Sequence, residues 1–233
     1  MAFIEFKNVC KYYGQGEHSI VAVDNMSFVI EKGELCVIVG PSGAGKTTLL
    51  NLLGGIDTCD KGVIVLDNSR ISSMTEWQLT RHRRYDVGFV FQCYNLIQNL
   101  TALENVELAS EICREPLDSA KVLLSLGLDE GRLNTFPAQL SGVEQQSVAI
   151  ARALVKNPKV LLCDEPTGAL DYEAGKRILS LLQESSRISG KTAIVITHNQ
   201  AISRMANRII HVKNGQALAI EQNSPLPVEQ IEW

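Results

Sequence analysis

No apolar run in this chain approaches the about 18–20 residues a helix needs to cross a bilayer; the longest, at 35–39 and 193–196, are strand-sized. The chain therefore does not cross a membrane by itself. Basic residues are not in excess either, since 22 Lys and Arg face 26 Asp and Glu and leave a net charge of −4. With no global attraction for a polyanion, any phosphate site must be local and nucleic acid is not an expected partner. The six cysteines, Cys10, Cys36, Cys59, Cys93, Cys113 and Cys163, show no CxxC or other metal-ligand spacing. Cys36 and Cys163 sit inside apolar runs and read as buried free thiols, which suits a reducing compartment. A basic stretch followed by a continuous apolar one is missing at the N-terminus, where Phe3-Ile4-Glu5-Phe6 reads as a strand, so a cytoplasmic location is expected. Internal repeats and low-complexity segments are absent as well.

The 233 residues, 45% hydrophobic and 21% charged, have the composition of an ordinary globular chain long enough for one large domain or two small ones. Apolar and polar residues alternate over 4–11 and 21–30, around a polar stretch at 14–19, which predicts a hairpin-like start with one of Tyr12 and Tyr13 facing the core. Continuous apolar runs at 35–39, 160–163 and 193–197 suit strands buried on both faces of a parallel sheet. They alternate with helical periodicity, as at 173–188, which implies an α/β fold. From 93 to 157 the pattern is helical instead, at 102–110, 119–126 and 143–155, broken by Pro116, Gly127 and Pro137. The tail from 223 reads as a peripheral extension, and 81–84 as a solvated helix face.

Gly40, Pro41, Ser42, Gly43, Ala44, Gly45, Lys46 and Thr47 complete the pattern GxxxxGK[ST] between a strand and a helix, the context this phosphate-binding loop requires. Backbone N–H groups turned inward by the glycines, together with the helix N-terminus that Thr48 continues, would cradle phosphate oxygens. Lys46 would meet the β/γ-phosphates and the Thr47 hydroxyl would hold Mg²⁺. Asp164 and Glu165 follow the second buried strand at the edge where such sheets place ligands. Asp164 is expected to bind Mg²⁺ and Glu165 to polarise the attacking water.

Further residues match in order. Gln92 follows an apolar strand, Leu140-Ser141-Gly142 opens a short motif, Ala169-Leu170-Asp171 follows Glu165, and His198 follows Thr197, while Tyr13 stands near the start. With these, residues 3–220 resemble the nucleotide-binding subunit of ATP-binding-cassette transporters. The resemblance implies a P-loop NTPase fold of the RecA-like α/β kind, with an N-terminal antiparallel β subdomain and an inserted helical subdomain. In it, 1–92 and 158–220 would form the core, 93–157 the helical part and 221–233 an extension. It implies Mg-ATP hydrolysis with Glu165, His198 and Gln92 catalytic, Gln92 also reaching the metal, and Tyr13 stacked on adenine. Ser141, Gly142 and Asp171 would act across a dimer interface, in a homodimer or a heterodimer with another such ATPase. An integral-membrane permease would hold the subunit at the inner face of the membrane. The wording from Gln92 to Val106, with Arg83-Arg84, resembles the branch serving lipoprotein release, macrolide and peptide export, and cell-division control, so export or release is expected.

The resemblance breaks at Val143, where the family carries glycine, and at Ser147, where it commonly carries arginine. A branched side chain at 143 is expected to hinder closure on the opposing nucleotide and to slow turnover. The alternative function is an ATP-driven regulatory module controlling a membrane sensor or cell-wall enzyme.

Overall fold

The computed structural model describes residues 2–14 and 19–232. Strand β1 (Ile4–Tyr13) pairs antiparallel with β2 (Ile20–Ile30), and residues 15–18 of their connection lie outside the described residues. With β4 (Lys61–Leu66) and β5 (Ser69–Arg70) they form a four-stranded sheet in the order β2-β1-β4-β5. The second sheet takes β3 (Leu35–Val39), β6 (Val87–Val90), β7 (Val160–Asp164), β8 (Thr192–Thr197), β9 (Arg208–Lys213) and β10 (Gln216–Gln222). Its order is β10-β9-β3-β8-β7-β6, parallel except for β10, which folds back antiparallel on β9.

The continuous apolar runs are explained by that sheet, because each of its central strands feeds two cores. Leu35, Val37 and Val39 of β3 join one hydrophobic cluster while Cys36 and Ile38 join the other, and β8 splits the same way at Ala193 and Val195 against Ile194 and Ile196. With side chains alternating at a period of two, both faces must be apolar for both layers to stay dry. One face packs α5 (Gly142–Leu154) and α6 (Tyr172–Ser189), with α3 (Ala102–Glu111) and α4 (Ser119–Ser125) behind α5. The other packs α1 (Lys46–Leu53), α2 (Glu76–Tyr85) and the four-stranded sheet.

Helix starts follow local chemistry. Thr75 with Gln78, Thr101 with Glu104 and Ser141 with Glu144 each form a reciprocal capping box, and Asp118 and Asp171 cap α4 and α6. The buried amide of Asn105 in α3 shapes the segment ahead of it: Oδ1 accepts from Ile97 N at 2.8 Å, while Nδ2 donates to the carbonyls of Ile97, Leu100 and Thr101.

Three expectations change. Neither Tyr12 nor Tyr13 is buried; register shifts between Val9 and Tyr12 break the alternation and put Lys11 in the buried position instead. The tail is no loose appendage: Val228 and Ile231 are buried in the cluster that holds α5 and α6, and Leu226 donates its N–H to Arg204 O. The basic run of α2 is only partly solvated. His82 is buried with Nε2 2.9 Å from Leu53 O, and Arg83 donates to Gly55 O.

Candidate functional site

The loop between β3 and α1 is shaped by close backbone approaches. A Cβ on Gly40 would stand 2.1 Å from Val212 O, and one on Gly45, at φ 96°, would stand 2.2 Å from Ala22 O. No side chain fits at either position, so both glycines are dictated by packing as much as by torsion. Lys46 is buried and folds across its own loop, Nζ donating to the carbonyls of Gly40 and Pro41 at 2.8 and 2.9 Å. An ammonium so placed meets an incoming anion by changing acceptors rather than by being drawn from solvent.

The ends of β7 and β8 bring the acidic residues to the same place. Asp164, half-buried, has its carboxyl pushed up, first by burial and then by Glu165, while a hydrogen bond from Thr47 and the charge of Lys46 pull the other way. Glu165 follows with φ 46°, a left-handed conformation that costs energy for a residue with a Cβ. Its backbone N–H donates to Ile196 O, Thr197 Oγ1 donates to Oε2 at 3.4 Å, and Oε1 lies 2.9 Å from His198 Nδ1. A carboxylate oxygen can only accept, so this bond puts the Nδ1 proton toward Glu165. Gln92 lies against Gly168, where a Cβ would come within 2.8 Å of its Nε2.

A cleft of about 660 Å³ joins Ser42, Gly43, Ala44, Gly45, Lys46, Thr47 and Thr48 with Gln92, Asp164, Glu165 and His198, and Tyr13 closes one end beside Ile20, Val21 and Ala22. Tyr13 is 40% exposed and held by its hydroxyl, which donates to Asp57 Oδ2 at 2.7 Å. Asp57 in turn accepts from Lys11 Nζ at 2.7 Å. Ser141, Gly142 and Asp171 do not line this cleft. Ser141 caps α5, Asp171 Oδ1 accepts from Ala174 N at 2.9 Å in α6, and a Cβ on Gly142 would lie 3.0 Å from the Tyr94 hydroxyl.

Sequence reasoning missed Lys11, Asp57 and Thr197. Only Thr197 carried a signal, as the hydroxyl residue ending a buried strand just before His198; Lys11 and Asp57 meet through sheet pairing that no local pattern reveals.

The model of the ABC transporter family matches residues 23–168, which includes the phosphate loop, Gln92, Ser141 and the Asp164-Glu165 pair. The chain belongs to that family. This ABC cassette is 43% identical over 224 residues to an uncharacterized ABC transporter ATP-binding protein, MJ0796, of Methanocaldococcus jannaschii, covering 91% of this chain and 94% of that protein. It is 40% identical over 221 residues to the macrolide export ATP-binding/permease protein MacB of Escherichia coli, covering 93% of this chain but 34% of MacB. The solved dimer of MJ0796 in a post-hydrolysis state with ADP and Pi superposes with a TM-score of 0.86 at 41% identity, over 96% of this chain and 100% of that one. The cassette is accordingly an ATPase with the P-loop NTPase α/β fold. Among the described residues no helix is long and apolar enough to cross a membrane.

Proposed function

We propose that this cassette binds Mg-ATP in the cleft, closes on it as a dimer, and couples hydrolysis to a membrane permease that exports or releases a lipophilic or peptide substrate. The observation that carries the reading is Glu165, held by His198 at 2.9 Å and by Thr197 on the rim of the cleft that Lys46 and Thr47 also line. Phosphoryl transfer asks mostly for positioning and charge compensation. Lys46 and the loop N–H groups would compensate the phosphates, and Glu165 would accept a hydrogen bond from the attacking water. His198 would fix the carboxylate and face the terminal phosphate, and Tyr13 would stack on the base.

Thr47 and Asp164, with Gln92, are the residues that would hold Mg²⁺. Thr47 and Asp164 line the same cleft and offer two hard oxygen donors, and so sparse a protein set suits a cation that keeps waters and phosphate oxygens. When bound, the ion supplies charge compensation at the phosphates.

Ser141, Gly142 and Asp171 lie outside the cleft, which supports a two-chain site where α5 of one copy faces the nucleotide of the other, and the solved structures of MJ0796 are dimeric. The likeness to MacB, a macrolide export protein in which ATPase and permease share one chain, supports the permease partner and the export direction.

The deciding experiment is steady-state hydrolysis across protein concentration, with Glu165→Gln as comparison. A rate that rises faster than linearly and drops by about 10²-fold or more in the variant, with ATP binding kept, is expected. A wild-type rate equal to that of the variant would remove the catalytic assignment.

A further inference from the structure

A second cleft, of about 550 Å³, opens at the opposite end of the parallel sheet, where the chain enters β6 and β7. Arg81, Tyr85, Arg114 and Lys156 line it, with Asp86 and Glu115. Its cations stand out because they lack acidic partners in a chain whose net charge is −4. Lys156 is half-buried and its Nζ donates only to the carbonyls of Arg83 and Val87, at 2.6 and 2.7 Å; burial holds its pKa below the usual lysine value. Arg84 and Arg114 both lie over the Tyr85 ring, 5.8 and 5.0 Å from its centroid, and Arg81 lies 4.9 Å from that of Trp77. Among the described residues none of these four cations forms an ion pair with a carboxylate. Asp86 is engaged by His82 and Lys159, each at 3.3 Å, which leaves Glu115 as the one lining acid without such a bond.

Arg81, Arg114 and Lys156 face two lining acids, of which Asp86 is already taken by His82 and Lys159, and Lys156 is partly desolvated, so the cleft keeps an excess of positive charge that an anion brought from outside would offset. Shape and residue type narrow the choice. Trp77, 67% exposed and stacked with the lining residue Arg81, joins Tyr85 and the arginines in the set of side chains that dominates protein interfaces. A membrane surface would reach Trp77 and Arg81, whereas Lys156 is half-buried in the concavity, where a carboxylate on a protruding segment can approach it. We propose that this cleft docks an acidic segment of a partner protein, carrying at least two carboxylates, at a site separate from the nucleotide cleft.

The test uses the full chain and a fluorescein-labelled peptide of alternating glutamate and leucine, with its glutamine counterpart as control. Anisotropy should show binding of the acidic peptide only, weakening several-fold between about 50 and about 200 mM salt. The Arg81→Glu/Arg114→Glu variant should bind at least about tenfold more weakly with unchanged ATP hydrolysis. Because the double reversal could perturb folding, Trp77→Ala serves as a second, exposed variant and should weaken binding several-fold. Equal binding of both peptides, or none, would overturn the proposal. So would binding confined to vesicles of phosphatidylglycerol and phosphatidylcholine, which would reassign the cleft to lipid.

Discussion

Asp57 gathers hydrogen bonds from Lys11, Tyr13 and the Thr58 N–H, each at 2.7 Å. Burial would push its carboxyl up, but the bonds from Lys11 and Tyr13 hold it below the usual range. The network fixes the angle at which the Tyr13 ring faces the cleft. Asp57→Asn is expected to raise KM for ATP about three- to tenfold with kcat unchanged, roughly 0.7–1.4 kcal/mol of binding. In a Tyr13→Ala chain the same change should do little; an equal effect there would show that Asp57 does not act through the tyrosine. Asp164 behaves in the opposite sense. Its folded pKa is raised, so folding favours the protonated form and the ionised carboxylate is a stability cost that grows as pH rises through that value. Asp164→Asn should therefore melt higher near neutral pH, the gap closing toward the unfolded carboxylate pKa; calorimetry at both ends of that range checks it.

Elements are locked by a few buried polar bonds. Glu34, just before β3, takes two parallel bonds from Arg208 at the start of β9, Nε to Oε2 at 2.8 Å and Nη2 to Oε1 at 2.9 Å. Burial opposes ionisation of Glu34, yet Arg208 and the Glu31 N–H hold its carboxyl low. The pair's contribution is thus present above the unfolded carboxylate pKa and is lost as pH falls through the lower folded value. Arg208→Met should cost about 3–5 kcal/mol in urea titrations near neutral pH, and much less in acid. The segment after Gln92 is tied at both ends of its helical surroundings, by Asn105 and by Arg152, whose guanidinium donates to the carbonyls of Tyr94 and Asn95. α3 and α5 are thus the elements that hold this segment.

At the scale of the whole molecule, the nucleotide cleft and the α5 N-terminus are separate surfaces. Val143 bears on how they meet. Its side chain is half-buried and packs on the helical core, and Ser141 still caps the helix, with its hydroxyl accepting from Glu144 N at 3.3 Å. Part of the Val143 side chain is therefore turned to its own core, which argues for a small effect on closure. Val143→Gly is expected to lower stability by about 1 kcal/mol while changing kcat less than about threefold; a much larger gain in kcat would restore the steric account. The tail belongs to the same whole. Removing residues 224–232 would strip Val228 and Ile231 from the core and should cost about 1.5–3 kcal/mol for each side chain, seen as a lower Tm.

The phosphate loop, its flanking strand and helix, and the Asp164-Glu165 pair were legible in the residues alone, because each is a local pattern. Backbone torsion, period-two burial and spacing along the chain carry the information. The lysine taken up in the buried place on β1, the Asp57 brace on Tyr13 and the docked tail could not be read that way. Each depends on a register shift or on partners tens of residues distant, set when β1 pairs with β4 and brings Lys11 beside Asp57, or when the tail docks in the helical cluster and brings Leu226 beside Arg204. Sequence determined which chemistry the chain carries; tertiary packing decided which side chains hold that chemistry in place, because burial and long-range hydrogen bonding exist only once the layers have met.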